Sequence, residues 1–336
     1  MKKEKYMRAI QFTQHGDYQQ LHLVDLAQPT PAPGEVLVKM TAAAVNPVDN
    51  IVRLGYMPGA KQPPQVPGVE GVGTIVSSTI GGFSSGQRVI VRVGAKGFGV
   101  WDDGVWQEYV AALPDEISLI PLPDTVSDVQ AAGMASSYLT AVYALTITGG
   151  FQAGQRVLAP AVGGAVGNAL VQVAYASGAS RVLTTAGSTA KAEKARKAGY
   201  TDVIDLSQES LSEGVMRLTD GAGVHVAVDS VGGAITGQAL SSLAQEGTLV
   251  VIGYSGGVET TASVTDLVFK EARVLGLNLF TRPASLIAQA KETMLQLATE
   301  GKIKPLVGQT FPLAEAAEAQ RFLMEERPFG RVVLTM

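Results

Sequence analysis

The stretch Leu158-Ala159-Pro160-Ala161-Val162-Gly163-Gly164-Ala165-Val166-Gly167 extends the apolar run that opens at Val157 and leads into another, Ala169, Leu170, Val171, Val173 and Ala174. That order reads as strand, tight turn, helix. The spacing Ala161-x-x-Gly164-x-x-Gly167 lets the backbone approach a pyrophosphate and sets a helix N-terminus against its charge. A glycine-rich turn alone is a weak signal, since glycines also serve close packing. The strand before it and the helix after it supply the context that dinucleotide binding requires.

Working outward, residues 127–279 alternate strand and helix. Strands are expected at Arg156–Ala159, Arg181–Thr185, Asp202–Ile204, His225–Asp229, Gly247–Ile252 and Arg273–Leu279. Helices are expected between them at Gly164–Ser177, Thr189–Ala198, Leu211–Thr219 and Ala234–Leu243. Right-handed βαβ units of this kind build a doubly wound parallel sheet, a Rossmann arrangement. Residues 1–126 read as β-rich. Arg8–Thr13 and Leu21–Asp25 flank a polar turn at His15-Gly16-Asp17, and further strands are expected at Glu35–Val45, Gly71–Ser77 and Gln87–Val93. The tail, 280–336, carries two helical runs and a strand at Arg331–Thr335, and is expected to return to the first domain.

The chain has 336 residues, 46% of them hydrophobic and 17% charged, enough for two domains with substantial cores. A net charge of −4 offers no basic face for nucleic acid. No run approaches the roughly 18 apolar residues of a membrane span, and a cytoplasmic location is the expectation. There is no cysteine, so disulfides and thiolate metal sites are excluded. The three histidines, His15, His22 and His225, do not fall in a ligand-like cluster.

An NAD site usually places an acid about 20 residues past the glycine-rich turn, on the ribose 2′-hydroxyl. Here the second strand ends Thr184-Thr185-Ala186-Gly187-Ser188, with no acid at its tip. Ser188 can donate to a 2′-phosphate and Lys191 can supply charge, which favours NADPH. Ser188 also reads as a plain helix cap, and Lys191 as a solvated helix lysine.

Markers along nearly the whole chain resemble one family. They include Ala44-Val45-Asn46-Pro47-Val48-Asp49, Arg53-x-Gly55, Pro67-Gly68-Val69-Glu70-Gly71-Val72-Gly73, and Gly104-Val105-Trp106-Gln107-Glu108-Tyr109. Leu139-Thr140-Ala141, Asp229-Ser230-Val231-Gly232 and Gly330-Arg331-Val332-Val333-Leu334 follow in the same order. The chain thus resembles the zinc-independent quinone oxidoreductases of the medium-chain dehydrogenase/reductase superfamily, the group that includes zeta-crystallin. The resemblance implies an α/β protein: a GroES-like β-rich catalytic domain from residues 1–126 and 280–336, and a Rossmann NADPH-binding domain from 127–279. It places the active site in the cleft between them. It also implies that zinc-dependent relatives carry a cysteine at the position of Asn46 and a histidine at that of Val69.

The chemistry implied is hydride transfer to quinones or α,β-unsaturated carbonyls, small-molecule acceptors that delocalise the arriving charge onto oxygen without a metal. By resemblance Asn46 is the hydrogen-bond donor to that oxygen, with fixing of the Asn-Pro turn as its competing role. Tyr56 is the nearest hydroxyl to a tyrosine that relatives use, although the family registers fall on Met57 and Ile51. Asp49 is read as a loop anchor, and Trp101 and Trp106 as pocket mouth or core. The family's cofactor contacts fall on Asn46, Thr140, Gly164, Ala165, Val166, Gly167, Ser188, Lys191, Ser230, Ile252, Ser255, Leu279, Phe280 and Arg331. A phosphate-contacting tyrosine of relatives is replaced by Leu206. The apolar sixth strand, at a sheet edge, implies a homodimer. The alternatives are a non-catalytic NADPH-binding protein of the crystallin kind and a zinc-free alcohol dehydrogenase.

Overall fold

The computed structural model describes residues 5–78, 80–92, 94, 97–113 and 119–336; the Leu119, Ile120 and Phe280 side chains and Val93, expected to end a strand, lie outside the described residues. The chain divides into two compact units, Met1–Ser136 with Pro305–Met336, and Ser137–Lys304.

The first unit begins with an antiparallel hairpin, β1 (Tyr6–Gln11) and β2 (His22–Ala27). It continues through β3 (Val36–Ala44), α1 (Pro47–Arg53), β4 (Glu70–Ser78), β5 (Arg88–Arg92), β6 (Tyr109–Ala112), β7 (Leu119–Pro121) and α2 (Asp128–Ala131). Helix α3 (Met134–Val142) carries the chain across the unit border into a wider π-helical turn, Tyr143–Thr148.

In the second unit strand and helix alternate: β8 (Arg156–Ala159), α4 (Ala165–Ala176), β9 (Arg181–Ala186), α5 (Thr189–Lys197), β10 (Val203–Asp205), α6 (Leu211–Leu218) and β11 (Val224–Asp229). Then come α7 (Ala234–Ser241), β12 (Leu243–Val251), α8 (Val264–Phe269), β13 (Arg273–Gly276) and α9 (Ala284–Thr299). The chain returns to the first unit with β14 (Val307–Pro312), α10 (Ala316–Arg321) and β15 (Arg331–Thr335).

The first unit's main sheet has the order β14-β15-β3-β4-β5-β7, with β6 also paired to β3. Its core gathers Val36, Val38, Met40, Ile75, Val89, Val91, Trp106 and Leu334. Trp106 is fully buried and donates from Nε1 to the Ala44 carbonyl at 3.0 Å, so it belongs to the core, while Trp101 is about half exposed. Arg53 fastens two distant segments to α1. It donates to Gln320 Oε1 on α10 at 2.6 Å, to Asn50 Oδ1 at 2.6 Å and to the Gly16 carbonyl, and it lies over the Tyr18 ring. His15 joins this knot through Nδ1 and the Arg53 carbonyl, at 3.2 Å.

The second unit's sheet is wholly parallel, in the order β10-β9-β8-β11-β12-β13. The strand order reverses direction between β8 and β11, the switch point at which open α/β sheets bind ligands. His225 is structural here: its Nδ1 accepts from the Arg156 N–H at 3.0 Å.

The unit borders differ from those expected at 126/127 and 279/280. Helix α2 stays with the β-rich unit because Asp128 accepts from Thr41 Oγ1 at 2.8 Å and pairs with Arg88. Helix α9 belongs with the parallel sheet, and the segment after it is fastened there by Lys304 N–H to Gln172 Oε1 at 2.6 Å. The sequence pattern also leaves out α1, α2, α3, α8, β6, β7 and β14, and β13 ends at Gly276, three residues before the expected Leu279.

Candidate cofactor and active site

The glycine-rich turn is a backbone cradle. Ala161 takes φ +63°, and Gly164 is the N-cap of the twelve-residue helix α4 with no side chain capping it. A Cβ at Gly164 meets only the Ala161 carbonyl oxygen, at 3.3 Å, so the space above it is open. A Cβ at Gly167 would lie 2.2 Å from that same oxygen and 2.4 Å from the Pro160 carbonyl, so this glycine lets strand-turn backbone touch helix. Open N–H groups at a helix N-terminus, with Ala165, Val166 and Gly167 in its first turn, fit a dinucleotide pyrophosphate.

The other candidate contacts in this unit follow the carboxyl ends of parallel strands and share that sheet edge. Ser188 follows β9, Ser230 follows β11, Ile252 and Ser255 follow β12, and Leu279 follows β13. Ser188 caps α5, accepting from the Lys191 N–H at 3.4 Å. Buried Asp229 shapes the loop after β11, its Oδ1 accepting from Val231 N at 2.7 Å and its Oδ2 from Thr236 Oγ1 at 2.5 Å. Thr140 instead lies within α3, and the Phe280 side chain is outside the described residues.

In the β-rich unit the candidate residues converge on Glu70, a fully buried carboxylate. Its Oε1 accepts from Arg331 Nη2 at 2.7 Å and from Asn46 Nδ2 at 3.3 Å, and its Oε2 accepts from Ser136 N at 2.7 Å. Asn46 caps α1, with Pro47 at the first helical position, and its N–H donates to Asp49 Oδ2 at 2.7 Å. The side-chain amide carries two protons, of which Glu70 takes one.

Asp49 is fully buried. Burial pushes its carboxyl up to about 7, with Glu70 adding to the rise, while the Asn46 and Val69 N–H groups and Arg331 oppose it. Arg92 faces Glu70 across the β4–β5 pair, as its register partner. Burial lowers that guanidinium to about 10 against the pull of Glu70. Arg92 Nε and Nη1 and Arg331 Nε are buried with no hydrogen-bond partner among the described residues.

Arg331, expected at a cofactor phosphate, is thus committed to Glu70 through one nitrogen while its Nε is unsatisfied. Its guanidinium lies against the backbone at Gly133, where a Cβ would sit 1.8 Å from Nη2. Tyr56 stands apart from this cluster in burial. It is 74% exposed, just past the C-cap of α1. The sequence reading assigned no part to Glu70, Arg92 or Gly133. The signal available was an acid and an arginine at the ends of apolar strands, where burial demands partners.

Residues 32–124 match the alcohol dehydrogenase GroES-like domain family and residues 165–300 the zinc-binding dehydrogenase family. Quinone oxidoreductase-like protein 2 of Bos taurus is 31% identical over 320 residues, covering 94% of this chain and 89% of its own. Quinone oxidoreductase of Pseudomonas aeruginosa is 33% identical over 334 residues, covering 97% and 99%. A solved NAD-dependent alcohol dehydrogenase is similar at a TM-score of 0.87 and 31% identity, over 98% of this chain and 100% of that one. Among the described residues no group of three His, Cys, Asp or Glu is placed to hold a metal ion. Nor is any helix among them long and apolar enough to cross a membrane. Taken with the backbone cradle and the parallel sheet, these likenesses make the chain a member of the zinc-independent quinone oxidoreductase family of the medium-chain dehydrogenase/reductase superfamily, a nicotinamide-dependent oxidoreductase family.

Proposed function

We propose that this protein is an NADPH-dependent reductase of quinones or α,β-unsaturated carbonyls that works without a metal. The observation that carries the reading is the Asn46 amide, buried and held by Glu70 at one N–H and by Asp49 at its backbone. An amide fixed in this way is a preorganised donor to an oxygen on which charge develops. The nicotinamide, when bound, supplies the hydride from its C4. Gly164–Gly167 then hold the pyrophosphate, Ser188 and Lys191 meet the 2′-phosphate, and Ser230, Ile252, Ser255 and Leu279 line the sheet edge beside it. Phe280 and Thr140 complete the proposed cofactor contacts, and Arg331 reaches a phosphate through the nitrogens that Glu70 leaves. Tyr56 offers an exposed hydroxyl to the acceptor, as a contact rather than a buried acid.

The protein is also proposed to be a homodimer. Strand β13 is an open sheet edge with all four residues exposed, including Val274 and Leu275. Helix α8 adds exposed Val264, Val268 and Phe269. Such an apolar edge is normally covered.

Steady-state oxidation of NADPH by 1,2-naphthoquinone and by a simple enone tests the reading. Turnover is expected with at least one acceptor, and Asn46→Ala is expected to lower turnover more than cofactor affinity. Tight NADPH binding with no turnover on any acceptor would leave a non-catalytic binding protein. Oxidation of alcohols with NAD would favour an alcohol dehydrogenase.

A further inference from the structure

The tip of β9 is acid-free in sequence but not in space. Strand β10 runs parallel beside β9, and Asp205 is the register partner of Ala186. The Leu206 N–H donates to the Ala186 carbonyl at 2.9 Å, which locks the two strand ends together. Neighbouring strands lie about 4.8 Å apart, so the Asp205 backbone stands one strand spacing from the tip where a ribose-reading acid was missing.

Its carboxylate is held on the same turn as the residues expected to meet the 2′-phosphate. Oδ2 accepts from Thr189 Oγ1 at 2.6 Å, and Thr189 is the first residue of α5, directly after Ser188. Oδ1 accepts from Ser207 N at 3.0 Å and Ser207 Oγ at 2.6 Å. The Ser207 and Thr189 hydroxyls hold the Asp205 carboxyl below the usual carboxylate range, with Arg196 contributing at longer reach, so the group is anionic at neutral pH. Among the described residues no ion pair within 4 Å neutralises it: Arg196 donates to the Val203 carbonyl at 3.1 Å.

We propose that Asp205 determines cofactor selectivity, its fixed negative charge opposing the 2′-phosphate drawn by Lys191 and Ser188, so that NADH remains a working second cofactor. This rests on the placement of the cofactor at the Gly164 turn. It adds a repulsive element to an attractive one, a common way of setting selectivity. It also assigns a consequence to the tether through Thr189, which prevents the carboxylate from swinging away when a phosphate arrives.

Dissociation constants for NADPH and NADH, measured by fluorescence titration of the full chain, test it. Asp205→Asn keeps the shape and the acceptor for Ser207 while removing the charge. It is expected to shift the ratio of the two constants toward NADPH by about fivefold at low salt, shrinking at about 0.5 M salt as a like-charge contact does. If that variant does not fold, Asp205→Ser carries the same test. An unmoved ratio, or equal changes for both cofactors, overturns the proposal and leaves Asp205 as a structural tie between β10 and α5. Lys191→Ala separates the two ideas. If it lowers the preference for NADPH while Asp205→Asn moves nothing, the role of Asp205 alone fails. If neither variant moves the ratio, the 2′-phosphate reading fails with it.

Discussion

Around Gly164 the structure offers a ligand only backbone, whereas around Glu70 it buries two carboxyl groups beside two guanidiniums. The first arrangement costs little in folding, because helix N–H groups without intrahelical partners are present in any case. The second is expensive to desolvate, and each member is tolerable only because of the others. The cradle therefore has separable parts, one glycine for the ligand and another for the helix. The charged cluster has none: Asn46, Arg331 and Ser136 share one carboxylate.

The largest expected break separates the two glycines. Gly164→Val is expected to fold and to lose NADPH affinity by more than about a hundredfold, since the side chain fills the space of the pyrophosphate. Gly167→Val is expected to fail in folding, with its Cβ 2.2 Å from a carbonyl oxygen. Cofactor titration with a melting curve reads both, and native affinity in a folded Gly164→Val protein refutes the cradle.

Next in size, Glu70→Gln leaves Arg331 and Arg92 buried without their counter-charge and is expected to cost about 3–5 kcal/mol in urea denaturation. A loss under about 1 kcal/mol would make the cluster an ordinary surface-like pair.

The pH dependence of Asp49 sharpens the same contrast. Its carboxyl titrates near 7 when folded, well above an unfolded carboxyl at about 4. The folded state then holds a proton that the unfolded state releases, so this stability is present below about pH 4 and lost as pH rises to about 7. Between pH 5 and 7 the loss is about 2–3 kcal/mol, and Asp49→Asn is expected to abolish that slope. Parallel stability curves for the two proteins would disprove the assignment. Smallest is Lys191→Ala, expected to raise the Michaelis constant for NADPH about tenfold relative to NADH, the size of one charge-assisted hydrogen bond. Equal effects on both cofactors would remove Lys191 from the phosphate site.

The same contrast explains what could be read from the sequence. Glycine spacing, apolar strands and capping residues are local, so the parallel sheet and the turn at Ala161–Gly167 were legible. The partners of Glu70 were not, because Arg331 stands 261 positions away and no periodicity links them. Helix α8 escaped because it is only six residues long, too short for its apolar residues to establish a helical period. The apolar face of α9 announced a buried helix but not which unit buries it. The acid beside Ala186 was hidden by strand order: it is a neighbour in the sheet, not in the chain.

Strand β15 sits inside the first unit's sheet, between β14 and β3, yet it is made from residues 331–335. During synthesis the whole of Ser137–Lys304 is made before that strand. The parallel-sheet unit can therefore fold as a nascent domain while the flank of β3 that will receive β15 is still unpaired. Gln320, which Arg53 requires, is equally late. Translation order thus completes the sequence of the inserted unit first, and leaves the sheet of the other unit without β15 until Thr335 has been made.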